Sequence, residues 1–270
     1  EKAGVGCMVG SCRVCENCKE GEEQYCLNGM IPTYNGKYQD GTPTYGGYGT
    51  MIVADEHFVL RWPEKLDMCA GAPLLCAGVT VYSPIKHFGL DKPGLKVGVV
   101  GLGGLGHMAV KFLRAFGVHT AVFSRSAAKK EEALDVLKAD AYVATGDEEQ
   151  FAAAKGTLDG VIDTVSATKP LAPYLDLLKR DGRYVFVGVP PEPFELRTPQ
   201  LIFGRKSVAG SLIGGIPETQ EMLDFCAEKD VVCMIEKIEC SKINEAYDRV
   251  VKGDVRYRFV LDVANTAPAL

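Results

Sequence analysis

The short apolar run Lys96-Val97-Gly98-Val99-Val100 passes directly into Gly101-Leu102-Gly103-Gly104-Leu105-Gly106 and then into a helical repeat. Few folds accept that order. The run follows the turn signal Asp91-Lys92-Pro93-Gly94, which predicts a buried strand. Beyond the glycines, Met108, Ala109, Phe112, Leu113 and Phe116 fall on one helix face, and Gly117 predicts the stop. A chain with 30 glycines matches G-x-G-x-x-G by chance, so the pattern gains weight from the strand before it and the helix after it. In that setting Gly101 permits the tight turn, Gly103 lets backbone approach a pyrophosphate, and Gly106 lets helix pack closely on strand. The helix N-terminus adds free N–H groups and partial positive charge. The six residues read as a dinucleotide site, with a bare strand-to-helix turn as the alternative.

Further strands are predicted at Thr120–Phe123, Ala141–Ala144, Gly160–Val165, Arg183–Val187 and Ser207–Gly210, and a charged amphipathic helix at Lys129–Lys138. Alternation of strand and helix predicts an α/β chain with a doubly wound parallel sheet. The N-terminal third differs. It is rich in Gly, Tyr and Cys, its stretch Gln39–Thr50 is full of turn signals, and short strands are predicted at Met51–Ala54 and His57–Leu60. The tail predicts helices at Glu218–Glu228 and Ile243–Val251 and a strand at Arg258–Val263.

The end of the second strand of the sheet speaks to which dinucleotide. An NAD site places Asp or Glu about 20 residues beyond the glycines, bonding the ribose 2′-OH. Here Ser124-Arg125-Ser126 stands there, followed by Lys129 and Lys130, with no acid before Glu131. Hydroxyls and cations hold a 2′-phosphate that a carboxylate would repel, so NADP(H) is favoured over NAD(H). The alternative is a solvated basic helix start.

Ten cysteines in 270 residues are too sparse for a disulfide scaffold, yet four fall together as Cys12-x2-Cys15-x2-Cys18-x7-Cys26. Four thiolates at short spacing surround one tetrahedral Zn(II) with no open position, which marks a structural metal in a reducing compartment. A bacterial iron–sulfur motif is the rival, but it reads C-x2-C-x2-C-x3-C-P, whereas the last gap here is seven and Leu27 follows.

Composition removes other classes. With 30 Lys+Arg against 35 Asp+Glu the net charge is −5, leaving no basic excess for a nucleic-acid backbone. Hydrophobic residues at 47% and charged residues at 24% describe a globular chain with room for one large or two modest domains. No apolar run reaches the roughly 20 residues of a membrane span. No G-x-S-x-G, H-E-x-x-H or P-loop supports a hydrolase or kinase. The chain opens on Glu1 with no signal peptide, so a processed chain or a piece of a longer one is expected.

Taken together, GCMVGSC, CENCKEGEEQYC, TYNGKYQDGTPTYGGYG, CAGVTVYSPIKHFGL, VGVVGLGGLGH, DTVSA, ETQEMLDFCAEK and DVRYRFVLDVAN resemble the plant cinnamyl alcohol dehydrogenase family of zinc-containing medium-chain dehydrogenases, over essentially the whole chain. The resemblance implies a partial GroES-like β-rich catalytic domain at 1–76, a Rossmann domain at 77–213 and a return to the catalytic domain at 214–270. It implies zinc-dependent, NADP(H)-linked interconversion of an aldehyde and a primary alcohol, usually aryl or allylic, in a cytoplasmic homodimer. By the same resemblance Cys12, Cys15, Cys18 and Cys26 match structural-zinc ligands and Cys76 matches a catalytic-zinc ligand. Thr80, Gly101, Leu102, Gly103, Gly104, Leu105, Gly106, Ser124, Arg125, Ser126, Lys129, Thr164, Gly188, Ser211, Leu212 and Ile213 match cofactor contacts.

Two departures from the family stand out. Its second catalytic-zinc Cys, an adjacent His-Glu pair and its proton-relay Ser or Thr have no match here. His57, His87, His107 and His119 fall at no ligand position and read as surface or helix-end residues, while Cys7, Cys69, Cys226, Cys233 and Cys240 read as core thiols. The 270 residues are therefore expected to be a partial sequence that does not turn over alone. A non-catalytic NADP-binding homologue and a zinc-independent reductase keeping the structural metal are the alternatives. The second departure is at the substrate. Lignin-type members carry a Trp in the segment that reads Met30-Ile31-Pro32-Thr33 here, and a Phe where Leu212 stands. Relatives act on terpenoid alcohols, sugar alcohols or alkaloid iminium ions. Met30, Tyr34, Tyr38, Tyr45 and Tyr48 read either as a substrate wall or as loop-stabilising aromatics.

Overall fold

The computed structural model describes residues 1–266. They divide into two compact units, one built from Glu1–Val79 with the chain from Ile213 onward, the other from Thr80–Leu212.

The second unit holds a six-stranded sheet. Its strands are β1 (Lys96–Val100), β2 (His119–Ser124), β3 (Ala141–Ala144), β4 (Leu158–Asp163), β5 (Leu178–Phe186) and β6 (Ser207–Gly210). All neighbours are parallel and the order is β3-β2-β1-β4-β5-β6. This is the doubly wound α/β sheet that strand–helix alternation predicts. Its strands read as apolar runs because both faces are covered: Val97, Val99, Val122, Phe123, Val161, Ile162, Tyr184 and Val185 are fully buried. The order reverses between β1 and β4, which opens a crevice at the carboxyl ends of those strands where such folds take ligands.

Helix α1 (Gly106–Ala115) buries Met108, Ala109, Phe112 and Leu113, the face read from the spacing. Gly117, at φ +75°, follows its last turn. Two boundaries differ from expectation. β4 ends at Asp163 because Thr164 and Val165 turn back over the glycine loop, and β5 begins at Leu178, with a register shift before Arg183. The segment expected as a charged α-helix is a 3-10 turn at Ala127–Lys129 followed by a π turn at Glu132–Val136. There Leu137 N–H reaches back to Glu132 O at 3.0 Å, and Ala133 and Leu137 are both buried.

The first unit is built from short pairs. Ala3–Val5 pairs with Val59–Arg61, Met8–Gly10 with Ile31–Pro32, and Tyr34–Lys37 with Pro43–Tyr45, all antiparallel. Ile235–Ile238 and Arg258–Leu261 pair in parallel. Helix α2 spans Ile216–Lys229, and a further helix spans Ile243–Val251. Trp62 anchors part of the core. Its indole N–H donates to Leu66 O at 2.9 Å, and a Cβ on Gly71 would meet its ring at 2.6 Å. The strand expected at Met51–Ala54 is absent: Met51 and Val53 are 83% and 84% exposed, and β propensity without a partner strand does not make a ladder. At the strand expected from His57 to Leu60, Asp55 caps a 3-10 turn at Glu56–Phe58, and pairing starts at Val59. Of the cysteines read as core, Cys226 and Cys233 are buried, whereas Cys7, Cys69 and Cys240 are partly exposed. No single helix among the described residues is long and apolar enough to cross a membrane.

Candidate functional site

The glycine loop leaves the sheet at the carboxyl end of β1. Gly101 has φ +90° and donates its N–H to Phe123 O at 2.8 Å. A Cβ on Gly101 would lie 2.7 Å from Val165 Cγ2, and one on Gly106 would lie 2.1 Å from the Gly101 carbonyl oxygen. Packing therefore requires both glycines. Gly103 is different, since a Cβ there would meet nothing within 4 Å. Its backbone borders open space of the kind a pyrophosphate needs. α1 starts at Gly106 with Leu105 as N-cap and no side chain closing the end, and its His107 N–H turns back to Gly103 O at 3.0 Å, so the positive end of the helix lies at the loop, where an anion is favoured.

Beneath the loop lies His107, fully buried, with Nδ1–H donating to Gly103 O at 3.2 Å. His107 is the second residue of α1, which agrees with the helix-end alternative, but it is buried rather than at the surface and braces the glycines. Thr164 Oγ1 likewise donates to Val100 O at 2.9 Å, bracing the turn from β4. Gly188 follows β5, and a Cβ on it would meet Val165 O at 2.5 Å.

β2 ends at Ser124, and Arg125 and Ser126 are exposed beyond it. Arg125 has no ion-pair partner among the described residues. Lys129 Nζ donates to Leu102 O at 2.6 Å, so the basic loop is stapled to the glycine loop. Tyr142 Oη–H donates to Ser126 O at 2.5 Å and fixes the loop from β3. Thr80 is buried within the helix Ala77–His87. Ser211 N–H donates to Phe186 O at 3.0 Å just after β6, Leu212 is exposed, and Ile213 belongs to the other unit.

In the first unit the Sγ atoms of Cys12, Cys15, Cys18 and Cys26 all lie within 4.8 Å of one another. Tetrahedral zinc at about 2.3 Å from each sulfur needs S···S separations of about 3.8 Å, and Cys12 and Cys18 stand 4.0 Å apart. The set fits a closed four-sulfur site. Backbone amides point at the sulfurs, Cys12 N–H at Cys26 Sγ (3.3 Å) and Cys15 N–H at Cys12 Sγ (3.4 Å). Amides of Val14 and Cys15 stabilise the Cys12 thiolate and bring its pKa down to about 6, while burial pushes Cys18 up to about 11.

Cys76 follows the 3-10 turn Ala72–Leu75 and meets a residue that sequence reasoning placed in the core. Cys7 Sγ–H lies 3.6 Å from Leu75 O, and Cys7 also hydrogen-bonds Cys76 and Tyr34. Donation from Cys7, aided by the positive charge of Arg258, brings Cys76 down to about 6; the shared proton and burial drive Cys7 far upward. Thiolate reactivity reports this directly. Alkylation of Cys76 by iodoacetamide, followed by peptide mapping, is expected to rise with pH through about 6, and Cys7→Val is expected to move that midpoint upward. A midpoint unmoved by Cys7→Val would remove Cys7 as the cause. Among the described residues no second group of three ligand atoms converges. The donors around Cys76 thus do not make the three-ligand set of a catalytic zinc.

Sequence reasoning also passed over two buried acids. Glu23 sits between Cys18 and Cys26, and Asp163 ends β4. Asp163 was signalled by an acid inside the apolar run Gly160–Val165; Glu23 had no such signal. Of the proposed aromatic wall, Tyr34, Tyr45 and Tyr48 are exposed, and Tyr48 Oη lies 3.3 Å from Tyr247 Oη.

Comparison with known proteins adds to this geometry. A family profile described as "Zinc-binding dehydrogenase" matches residues 104–228. A vomilenine reductase of Rauvolfia serpentina is 56% identical over 266 residues, covering 98% of this chain and 74% of the relative. A cinnamyl alcohol dehydrogenase 2 of the same plant is 54% identical, with coverage of 98% and 74%. Among solved structures, a cinnamyl alcohol dehydrogenase of Sorghum bicolor superposes with TM-score 0.96 at 48% identity, covering 99% of this chain and 76% of that one. A cinnamyl alcohol dehydrogenase of Helicobacter pylori complexed with NADP(H) gives TM-score 0.89 at 39% identity, covering 98% and 75%.

Proposed function

This chain belongs to the zinc-binding dehydrogenase family, within its plant cinnamyl alcohol dehydrogenase group, and from that premise we propose that it binds NADP(H) and serves the interconversion of an aldehyde and a primary alcohol. One observation carries the cofactor assignment: an open phosphate cradle at Gly103 whose neighbouring loop, Ser124 to Lys130, holds three cations and no carboxylate.

The residues divide the work. Gly101 and Gly106 set the turn, Gly103 and the start of α1 hold the pyrophosphate, and His107 and Thr164 keep the loop in shape. Arg125, with Ser124 and Ser126, holds the 2′-phosphate through charge-assisted bonds. When bound, the nicotinamide ring supplies or accepts the hydride. Cys12, Cys15, Cys18 and Cys26 hold one structural zinc, which fixes a loop too poor in apolar side chains to build a core.

The cofactor reading is tested by nicotinamide fluorescence. NADPH is expected to bind the purified chain more tightly than NADH. Arg125→Asp is expected to weaken NADPH by about tenfold or more, at about 1.4 kcal/mol per decade, and to spare NADH. Equal loss of both coenzymes would show that Arg125 does not meet the 2′-phosphate.

Overall identity does not choose the substrate, because the two relatives from one plant carry different substrate names at 56% and 54%. We assign an aryl or allylic aldehyde–alcohol pair as the substrate, the class named for the cinnamyl alcohol dehydrogenase relatives. An aldehyde panel with NADPH is the assay, and turnover confined to sugar alcohols would overturn the assignment. A second reading is favoured by the single metal-ligand cluster among the described residues. It is a zinc-independent reductase that keeps the four-thiolate metal alone, and it predicts NADPH-dependent turnover by a chain carrying about one zinc; a non-catalytic cofactor-binding chain predicts NADPH binding with no turnover.

A further inference from the structure

The gap between the third and fourth clustered cysteines carries a 3-10 turn, Glu23–Tyr25, whose first residue is 1% exposed. A buried carboxylate is costly unless each oxygen is bonded, and here both are. Oε1 lies 2.8 Å from His57 Nε2, and Oε2 accepts the Ile216 N–H at 3.0 Å. Ile216 is the first residue of α2, whose N-cap is Gly215, with no side chain of its own to cap the end, and whose next residue is Pro217. Glu23 therefore does from a distant loop what an N-cap does locally: it accepts a free helix N–H and places negative charge at the positive end of the dipole.

The seating is tight on both sides. A Cβ on Gly215 would lie 1.6 Å from Gly21 O and 3.1 Å from Glu23 Oε2, and one on Gly21 would lie 2.8 Å from Pro217 Cγ. Backbone rests on backbone, so the helix start has no room to shift while the loop stays in place. The turn is joined to the metal loop as well. Cys26 N–H donates to Glu23 O at 3.1 Å, and Asn17 Nδ2 donates to Tyr25 O at 2.6 Å.

We infer that Glu23 is a positioning residue linking metal occupancy of the Cys12/Cys15/Cys18/Cys26 loop to the seating of the N-terminus of α2. The inference rests on the four-thiolate zinc reading above. Zinc holding Cys18 and Cys26 fixes the turn between them and so presents the Glu23 carboxylate to Ile216; loss of zinc frees the turn and leaves that amide without its acceptor. The effect reaches the chain about 190 residues away in sequence although no residue of α2 is a ligand.

Hydrogen exchange on the full 270-residue chain tests this, with zinc content measured in parallel. In the zinc-loaded protein, Ile216 and Thr219 amides are expected to be protected. Removal of zinc with 1,10-phenanthroline is expected to raise exchange at Ile216 by about fivefold or more, the effect of losing a cap, together with exchange across residues 11–26. Glu23→Ala is expected to raise exchange at Ile216 while zinc stays bound, and Glu23→Gln, which keeps an acceptor oxygen, to restore most of the protection. Loss of zinc that deprotects residues 11–26 and leaves Ile216 unchanged would overturn the inference alone. A chain that takes up no zinc on reconstitution would overturn the four-thiolate reading and the linkage with it.

Discussion

Exchange of Cys18 for serine is expected to take zinc content from about one per chain to near zero and to open residues 11–29 to protease. Cys18 is one of the two buried members of the cluster, and its sulfur packs 4.0 Å from Cys12 Sγ. A serine hydroxyl stays protonated at neutral pH and does not replace a thiolate, so three ligands remain where a closed site needs four. Structural zinc contributes apparent binding free energies of about 10–16 kcal/mol in small zinc-dependent folds at pH 7. Little else here replaces it. Val14 and Leu27 are exposed, and the loop's remaining side chains are mostly polar. Zinc released by a chelator and read by a colorimetric indicator, with limited proteolysis alongside, gives the result. A variant with full zinc content, or a zinc-free loop as resistant as the loaded one, would show that the thiolates are not what holds it.

The second large effect is expected at Asp163. Its carboxylate is 0% exposed at the end of β4, accepts the Tyr184 hydroxyl at 2.7 Å and Val165 N–H at 3.1 Å, and pairs with the Lys169 ammonium. Lys169 is itself largely buried, with its Nζ 5.5 Å from the Tyr174 ring centroid and 6.0 Å from that of Phe186. Burial and the neighbouring carboxylate drive the Tyr184 hydroxyl well above the ordinary phenol range, so it remains a donor at any workable pH. Asp163→Ala removes the acceptor these groups share and strands a cation, a change that costs about 3–5 kcal/mol in buried pairs. At about 2–4 °C per kcal/mol for a domain of this size, the melting temperature is expected to fall by about 6–20 °C. Asp163→Asn keeps an acceptor for Tyr184 and is expected to fall less. A shift under about 2 °C would show that Lys169 swings to solvent without penalty.

Much of the sheet was legible in the chain because one physical demand wrote it twice. Strands covered on both faces must be apolar throughout, and the loop between β1 and α1 must lack side chains where Gly106 meets the Gly101 carbonyl. Both leave marks that survive without a structure. The cysteine spacing was legible for a similar reason, since four sulfurs around one ion limit how far apart their residues can stand. What stayed hidden depends on partners distant in sequence. Met51–Ala54 has strand composition but no strand to pair with. Cys7 looks like any small buried thiol until the turn Ala72–Leu75 folds against it. Glu23 sits among Glu20 and Glu22 and reads as one more solvated acid; its burial is decided by Ile216 and His57.

The first unit is assembled from two stretches of chain with the whole of the second unit's sequence between them. On a ribosome adding about 5–20 residues per second, the 193 positions from Glu23 to Ile216 take about 10–40 s to appear. Throughout that interval the nascent acid has no helix to cap, while the parallel sheet is already being delivered behind it. The last fifth of the message therefore completes a layer begun in the first tenth, and a chain stalled before Ile216 would carry an acid built for burial with no amide to receive it.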